Sequence, residues 1–423
     1  MLSIHYIREN TTEVVERLNV KNFDAKQIIE TIISIDLKRR ETQTKLEDIL
    51  AKSNSVAKEI GVLFQSGKAN EASLLKTQTT ELKQQSKELA EALDQLEKEQ
   101  NQLLITLPNL PHTSVPKGKT PEDNVLVHSE GAIPQLSDNC LAHWDLATKY
   151  NIIDFELGNK ITGTGFPVYK GKGAKLQRAL INFFIDNAIK NGFNEIQPPL
   201  MVNEASGYGT GQLPDKEGQM YHVTLDNLYL IPTAEVPITN LYRNVMLKAD
   251  QLPVKNVAYS QCFRREAGSY GKDVRGLNRL HQFDKVEIVQ LQTPECSYET
   301  LEEMKDYVAS LLRLLEFPFR ILKLCGGDMS FTAALTYDLE VYSTAQQRWL
   351  EVSSVSNFET FQSNRMKLRY KDNDGKTKAV HTLNGSALAL PRIVAALLEN
   401  NQTPGGIIIP KALQSYTGFE IIN

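Results

Sequence analysis

A long segment near the start of the chain repeats apolar side chains at alternating steps of three and four residues. Between positions 27 and 105 it contains no proline. Its first half places the stripe at Ile28, Ile32, Ile35, Arg39, Thr42, Leu46, Ile49, Ser53, Val56, Ile60 and Leu63. Its second half spaces leucines by heptads, at Leu75, Leu82, Leu89, Leu96 and Leu103. Because Gly67 lies in a short polar stretch between the halves, the pattern predicts an antiparallel coiled-coil hairpin.

The role of this hairpin stays open at this point. Its lysines and arginines are interleaved with acids, as on any solvated helical surface. On periodicity alone, a dimerisation rod or a spacer is therefore favoured over an RNA-binding arm. A different interpretation needs support from elsewhere in the chain.

Prolines then end the helical pattern. Four of them lie close together, at Pro108, Pro111, Pro116 and Pro121. Proline is rare inside helices and frequent in linkers between domains. We therefore expect one domain over residues 1–107, a linker over residues 108–122 and a second domain over residues 123–423.

Short β-type runs and longer helical runs make up the second region. Strands are predicted at residues 166–170, 228–231, 257–263, 285–291, 319–324, 337–341 and 349–352. Helices are predicted at residues 173–191, 296–315 and 389–399. Several strands follow one another without an intervening helix, which argues against a doubly wound parallel fold. We expect an α+β fold, with a mixed, largely antiparallel sheet and flanking helices, in addition to the N-terminal hairpin.

Charge and cysteine content narrow the class of protein. The net charge is −4, so any RNA site has to be a local basic patch. The cysteines form no CxxC pair, and we expect reduced thiols and no zinc.

The N-terminus has no apolar signal region and no run is long enough to span a membrane, so we expect a soluble, cytoplasmic protein without membrane contacts.

Three stretches contain candidate chemistry. Residues 262–283 are rich in arginine and glycine, and the planar arginine fork suits phosphate, although an ordinary exposed basic loop looks the same. Glu235, Glu287 and Glu351 lie in or beside apolar strands. Each alone is expected to face solvent, whereas acids gathered on one sheet face would suit an ammonium, a hydroxyl or Mg²⁺. Residues 384–392 predict a small-residue turn that enters an apolar helix.

The motifs of P-loop ATPases, dinucleotide-binding dehydrogenases, α/β-hydrolases and zincins are absent from the sequence. In their order along the chain, the segments instead resemble the class II aminoacyl-tRNA synthetases, and in particular the seryl-tRNA synthetases of bacterial type. Residues 191–200 resemble motif 1, whose proline lies at the dimer interface of that class. The run from Phe263 to Glu266 resembles motif 2, and residues 384–392 resemble motif 3.

Three further blocks resemble the seryl subfamily, at residues 209–214, 231–237 and 267–284. The predicted hairpin also falls where that family has its tRNA-binding arm. The resemblance therefore spans nearly the whole chain. Departures from the usual family residues, such as Val355 and Ala387, do not remove a proposed ligand.

The resemblance implies a role for each of several side chains. The implied serine-binding set is Thr233, Glu235, Arg264, Glu287, Asn384 and Ser386. The implied ATP-binding set is Arg264, Arg265, Glu266, Arg279, Phe283, Glu351, Val352, Ser353, Ser354 and Arg392. Arg264 and Arg392 are the implied catalytic residues, and Glu351 with Ser354 is the implied Mg²⁺ site.

The implied reaction is ATP-dependent activation of L-serine to seryl-adenylate, followed by transfer of the seryl group to the 3′ end of tRNA(Ser). The implied assembly is a homodimer that contacts tRNA(Ser) through the hairpin and through residues 267–278. Two alternatives stay open. A synthetase-like ligase that loads an amino acid onto a carrier protein would lack the long arm. A non-catalytic coiled-coil RNA-binding protein would have lost Arg264, Glu287 or Arg392, and all three are present.

Overall fold

The structure is a computed structural model and describes residues 1–136, 139–215, 217–266 and 275–423. The chain divides into two compact units. The first comprises Met1–Asn19 with Phe23–Pro108, and the second comprises Val20–Asn22 with Asn109–Asn423. Within the described ranges, every helix is too short or too polar to cross a bilayer.

The α-helices of the described residues are α1 (Ile4–Glu9), α2 (Thr11–Val20), α3 (Lys26–Gln65), α4 (Ala69–Leu104), α5 (His143–Lys149), α6 (Phe155–Ile161), α7 (Gly171–Lys190), α8 (Glu204–Thr210), α9 (Glu235–Asn240), α10 (Ser297–Leu314), α11 (Phe361–Met366), α12 (Leu390–Asn400) and α13 (Lys411–Thr417). The strands are β1 (Val125–Glu130), β2 (Ile153–Asp154), β3 (Val168–Tyr169), β4 (Asn194–Glu195), β5 (Met201–Asn203), β6 (His222–Val223), β7 (Leu228–Leu230), β8 (Met246–Lys248), β9 (Val254–Phe263), β10 (Gln282–Gln292), β11 (Phe319–Lys323), β12 (Leu335–Ser343), β13 (Arg348–Asn357), β14 (Arg369–Lys371), β15 (Thr377–Ala379), β16 (His381–Ala389), β17 (Gln402–Thr403), β18 (Gly406–Ile408) and β19 (Ile421–Ile422).

Helices α3 and α4 form the predicted antiparallel hairpin. Their opposite directions follow from two contacts, since Gln100 lies 3.4 Å from Asp36 near one end and Lys76 lies over the Phe64 ring near the other. Ile32, Ile35, Val56 and Leu82 are buried along the predicted stripe, and most of its other apolar members are half-buried between exposed neighbours. The heptad pattern therefore predicted both helices and the way they pair.

A buried carboxylate lies at the base of this hairpin. Asp36 is fully buried and accepts hydrogen bonds from Arg8, Arg39 and Arg40, at 2.9 to 3.3 Å. Burial alone would raise the pKa of Asp36, but these hydrogen bonds and that from Gln100 outweigh it and lower the pKa. The ion pairs join α1 to α3, so the base of the hairpin is part of the packed first unit.

The second unit is built on an eight-stranded sheet with the strand order β1-β11-β12-β13-β16-β10-β9-β4. Every neighbouring pair is antiparallel except β4 with β9, which is parallel. This arrangement confirms the expected mixed, largely antiparallel sheet. Helices α7, α10 and α12 pack on it and enclose the main hydrophobic core.

One predicted element is wrong. Residues 384–389 do not form a turn, because they belong to the central strand β16, which pairs with β10 on one side and β13 on the other. Small residues fit there because the neighbouring strands pack closely. A Cβ at Gly385 would lie 3.2 Å from Cγ2 of Val355. The helix predicted after it is confirmed as α12.

Candidate active site

The pleat of the sheet places polar side chains on the face opposite the main core. On β10, Val286 and Ile288 belong to the core, so the alternate residue Glu287 points to the other face. Residues directly opposite in an antiparallel ladder point to the same side. Glu287 is opposite Ser386 on β16, and Asn384, two residues earlier on that strand, shares the same face.

The same reasoning extends across β13 and β12. Asn384 is opposite Ser356 on β13, and Ser354 lies two residues before Ser356. Ser354 is opposite Asp338 on β12, and Glu351 is opposite Glu340 two residues further on. Acidic and hydroxyl side chains of four strands therefore lie on one surface. This is the gathering of acids on one sheet face that would suit an ammonium, a hydroxyl or Mg²⁺.

A buried lysine on β10 belongs to the same surface. Lys285 Nζ lies 2.6 Å from Glu287 Oε2 and donates to Thr233 Oγ1 at 2.8 Å. Ser386 Oγ donates to the same Glu287 oxygen at 3.3 Å. All four side chains are less than one-tenth exposed. Sequence reasoning missed Lys285, although its spacing of two residues from Glu287 in a strand is a readable signal that they share a face.

A second buried carboxyl lies beside this group. Glu235 begins α9 and accepts a 2.6 Å hydrogen bond from Gln362 Nε2. Gln362 in turn accepts from Thr382 Oγ1 at 2.7 Å, which orients its amide. Burial raises the pKa of Glu235 to about 7, and the negative charge of Glu287 adds to the rise. Sequence reasoning did not find Gln362, which lies on α11, far along the chain from the acid it contacts.

The residues that resemble motif 2 lie next to this group of buried side chains. Arg264 Nε lies 3.4 Å from the Pro232 carbonyl oxygen, and its guanidinium lies 5.2 Å from the centre of the Phe283 ring. Glu266 accepts a 2.9 Å hydrogen bond from Arg279, so these two proposed ATP ligands contact each other.

The arginine that follows Arg264 points elsewhere. The Arg265 side chain is exposed, with its guanidinium 6.0 Å from the centre of the Tyr221 ring. The segment resembling the tRNA-contacting loop, residues 267–278, lies outside the described residues as far as position 274.

Arg392 joins the first turn of α12 to the neighbouring strand. Its Nη1 donates to the Glu351 carbonyl oxygen at 2.6 Å and lies 3.4 Å from the Glu351 carboxylate. Its Nε donates to the Asn278 carbonyl oxygen at 3.3 Å. The guanidinium and the carboxylate of this pair are both partly exposed, so both are accessible to a ligand.

Two members of the implied ATP-binding set point away from this surface. The Val352 side chain belongs to the main hydrophobic core. The Ser353 hydroxyl is buried and donates to the Ser386 carbonyl oxygen at 2.6 Å. Neither side chain is therefore placed to contact a nucleotide. Val355 and Ala387, which depart from the usual family residues, are also fully buried in the core and contribute packing.

An acidic corner borders Glu351 and Ser354. Asp338 is hydrogen-bonded by Ser354, and burial raises its pKa well above the ordinary range, with the charge of Glu351 adding to the effect. Its Oδ1 is buried and has no hydrogen-bond partner among the described residues. Those residues contain no cluster of three or more acidic, histidine or cysteine side chains placed to hold a metal ion. A bound Mg²⁺ needs fewer, because it typically takes one or two carboxylates and fills its other positions with phosphate and water.

Comparison with known proteins gives the family. Residues 1–111 match the seryl-tRNA synthetase N-terminal domain, and residues 221–401 match the tRNA synthetase class II core domain (G, H, P, S and T). The serine–tRNA ligase of Salinibacter ruber is 49% identical, with 99% of this chain and 98% of that protein aligned. The chain belongs to the seryl-tRNA synthetases. A second relative, the serine–tRNA ligase of Chlorobaculum parvum, is 46% identical over the full length of both chains.

The fold agrees with that of other seryl-tRNA synthetases. The crystal structure of the Pyrococcus horikoshii enzyme, complexed with ATP, matches with a TM-score of 0.92 and 34% identity, covering 100% of this chain and 99% of that one. Membership of the family makes the chain an aminoacyl-tRNA ligase. It favours serine activation over the two alternatives, a carrier-protein ligase and a non-catalytic RNA-binding protein.

Proposed function

We propose that the buried cluster on the polar face of the sheet is the serine pocket of an enzyme that activates L-serine with ATP and charges tRNA(Ser). The observation that supports it best is the contact of Lys285 with both Thr233 and Glu287, and of Ser386 with the same carboxylate. Two buried acids offer sites for the ammonium and the hydroxyl of serine. A neighbouring arginine, Arg264, offers a site for its carboxylate.

This pocket accounts for selection of serine. A buried carboxylate such as Glu287 accepts a hydrogen bond from the substrate hydroxyl. Alanine or glycine would leave that carboxylate without the bond, and sites of this kind reject such analogues strongly. Threonine retains the hydroxyl and has to be excluded by lack of room for its methyl, which contributes only about 1–3 kcal/mol.

Formation of the adenylate requires no protein nucleophile. An oxygen of the serine carboxylate attacks the α-phosphorus of ATP, and the bond from that phosphorus to the bridging oxygen breaks as pyrophosphate leaves. The protein therefore has to hold two anions in line and neutralise the developing charge. Arg264 lies between the serine pocket and the Phe283 ring, where adenine would stack, and is therefore suited to contact both the carboxylate and the α-phosphate. Arg279 and Arg392 would hold the β- and γ-phosphates, with Glu266 directed to the adenine.

Mg²⁺ would bind between Glu351 and Ser354, which lie on the same face of β13. The buried Asp338 Oδ1, which has no hydrogen-bond partner among the described residues, supports a cation at this corner, since buried polar atoms are normally paired and a bound cation would supply the partner. The ion would supply charge neutralisation to the phosphates. Glu351 also orients Arg392 through its carbonyl oxygen, so one residue would serve both the metal and the arginine.

We also propose the larger organisation of the enzyme. Residues 1–107 would form the tRNA-binding domain with its long arm, residues 108–122 a linker and residues 123–423 the catalytic domain. The Pro198-containing segment resembling motif 1 would form the interface of a homodimer, the commonest closed assembly. All four cysteines are unpaired, which suits a reducing cytoplasm.

Replacing Glu287 by alanine or by glutamine tests the serine pocket. We expect the KM for serine in serine-dependent pyrophosphate exchange to rise about 10- to 100-fold, since a hydrogen bond to a charged group typically contributes about 1.5–3 kcal/mol. The KM for ATP should change little. Glutamine retains the side-chain shape, so it separates the lost charge from the cavity that alanine leaves. Equal changes in both KM values would assign Glu287 a structural role.

The pH dependence of serine binding tests Glu235. Because the pKa of this carboxyl is raised to about 7, it is neutral below that pH and ionised above it. Only the ionised form attracts the serine ammonium, so kcat/KM for serine should fall towards tenfold per pH unit below pH 7. Glu235→Gln cannot titrate and should flatten this slope. An unchanged slope in the variant would assign the titration to another group.

A further inference from the structure

A fully buried histidine and glutamate lie behind the proposed phosphate site. His143 begins α5, and Glu399 lies in the last turn of α12, the helix whose first turn contains Arg392. The His143 Nδ1 atom lies 2.6 Å from Glu399 Oε1, and the His143 backbone N–H donates to the same oxygen at 2.9 Å. Both side chains are completely inaccessible to solvent. Neither belongs to the implied ATP- or serine-binding sets.

The other ring nitrogen of His143 fixes the tautomer. The backbone N–H of Leu277 donates to His143 Nε2 at 2.8 Å. A backbone N–H can only donate, so Nε2 accepts and the ring proton lies on Nδ1, from which it is donated to Glu399. Nδ1 therefore donates to Glu399 while Nε2 accepts from Leu277, so the imidazole connects Leu277 to α12.

The residues before Leu277 fit the same surface. Gly276 has φ +68°, and a Cβ there would lie 2.2 Å from His143 Nε2 and 3.0 Å from the Trp144 ring. The Arg275 guanidinium lies 4.5 Å from the centre of the Trp144 ring. Three consecutive residues thus pack on the first turn of α5, which is a close fit that only glycine allows at the middle position.

Hydrogen bonds continue from this anchor to Arg392. Gln346 Nε2 donates to Glu399 at 3.0 Å, and Asn278 Nδ2 donates to Gln346 Oε1 at 3.0 Å. The carbonyl oxygen of Asn278, the residue after the tethered Leu277, accepts from Arg392 Nε. The next residue is Arg279. The segment anchored by His143 therefore orients one proposed phosphate ligand and supplies the other.

We propose that His143 is a positioning residue for ATP, which holds Leu277 and Asn278 so that Arg279 and Arg392 face the β- and γ-phosphates. It touches no substrate and acts through the Leu277 N–H and the Asn278 carbonyl. The proposal rests on the proposed placement of ATP at Arg392. It differs from a purely structural role because it depends on Nε2, whereas burial of the pair depends on the bond between Nδ1 and Glu399.

Two substitutions separate these roles. In His143→Asn the shorter amide can still donate to Glu399 but cannot reach Leu277, whereas in His143→Gln the longer amide can accept from Leu277 and loses the geometry at Nδ1. We expect His143→Asn to raise the KM for ATP in pyrophosphate exchange about 5- to 10-fold, the size of one neutral hydrogen bond. The KM for serine should be unchanged, and His143→Gln should restore the KM for ATP towards the wild-type value. A structural role gives the reverse order, with Gln the more harmful substitution and the losses following Tm.

Two further variants keep every outcome decisive. Gly276→Ala disturbs the contact between Leu277 and His143 Nε2 without changing the histidine, because the added Cβ would lie 2.2 Å from Nε2. It should also raise the KM for ATP selectively, even where a substitution at His143 prevents folding. Arg392→Ala tests the placement of ATP itself. If Arg392→Ala raises the KM for ATP and neither His143→Asn nor Gly276→Ala does, the role of His143 is wrong. If Arg392→Ala leaves the KM for ATP unchanged, the proposed phosphate site is wrong.

Discussion

Arg264→Ala should lower the rate of serine-dependent pyrophosphate exchange by about 10²–10³-fold, the usual effect of removing one preorganised charge-stabilising donor. The guanidinium lies between the Pro232 carbonyl at the serine pocket and the Phe283 ring, so it is placed to contact both reacting anions. Its contacts among the described residues are one carbonyl and one ring, and the fold should therefore tolerate its loss. Exchange kinetics together with Tm measure the two effects separately.

Two variants give this test its controls. Arg264→Lys retains the charge but loses the planar fork, and we expect an intermediate rate. Arg313→Ala removes an arginine that pairs with Glu130 beside the opposite edge of the sheet, and it should leave exchange almost unchanged, as is usual for exposed ion pairs. An Arg264→Ala rate within a few-fold of wild type would remove Arg264 from the site.

Periodic elements could be predicted from the sequence because their pattern repeats a local physical requirement. The heptads of α3 and α4 require a partner for each apolar stripe, and the nearest stripe lies beyond a short turn. Strands β9, β10 and β12 contain runs of branched and aromatic residues, which favour the pleated conformation. Strand β16 was missed because its glycine, alanine and serine residues have low β-propensity. Its strand form depends on β10 and β13, which are distant in sequence.

The residues of the candidate site differ in the same way: some lie in local sequence segments that indicate them, and others depend on packing between distant elements. Glu287, Thr233 and Ser386 could be proposed from the sequence because the segments that resemble the family are local, and the structure brings these side chains together. Lys285 needed knowledge of the pleat, which the alternation of core residues on β10 supplies. Gln362 and His143 could not be predicted, since each depends on packing between elements that no pattern in the sequence relates.

Removing the arm should abolish charging of tRNA and leave serine activation intact. All the proposed serine and ATP ligands lie in the second unit, so serine-dependent pyrophosphate exchange should continue when residues 27–105 are replaced by a short flexible linker. Aminoacylation should fall by about two orders of magnitude or more, because affinity for nucleic acid depends on many lysine and arginine contacts to phosphate. Exposed lysines of this kind lie along both helices and in the turn between them, at Lys45, Lys52, Lys58, Lys68, Lys76, Lys83 and Lys87.

The structure allows a sharper form of this experiment. Asp36 at the base of the hairpin binds arginines of α1 and α3, so deleting all of residues 27–105 also removes part of the core of the first unit. The contacts of Asp36 with Gln100 and of Phe64 with Lys76 place positions 42 and 94 opposite each other. A variant that lacks only residues 43–93 and closes the gap with a short glycine turn retains the base. We expect it to keep the Tm of the first unit, to exchange pyrophosphate normally and to lose aminoacylation.

The intact enzyme should bind tRNA less tightly as salt increases, and the shortened one should have a smaller salt dependence. If the shortened enzyme charges tRNA at the wild-type rate, the hairpin is a spacer, as its periodicity alone would suggest.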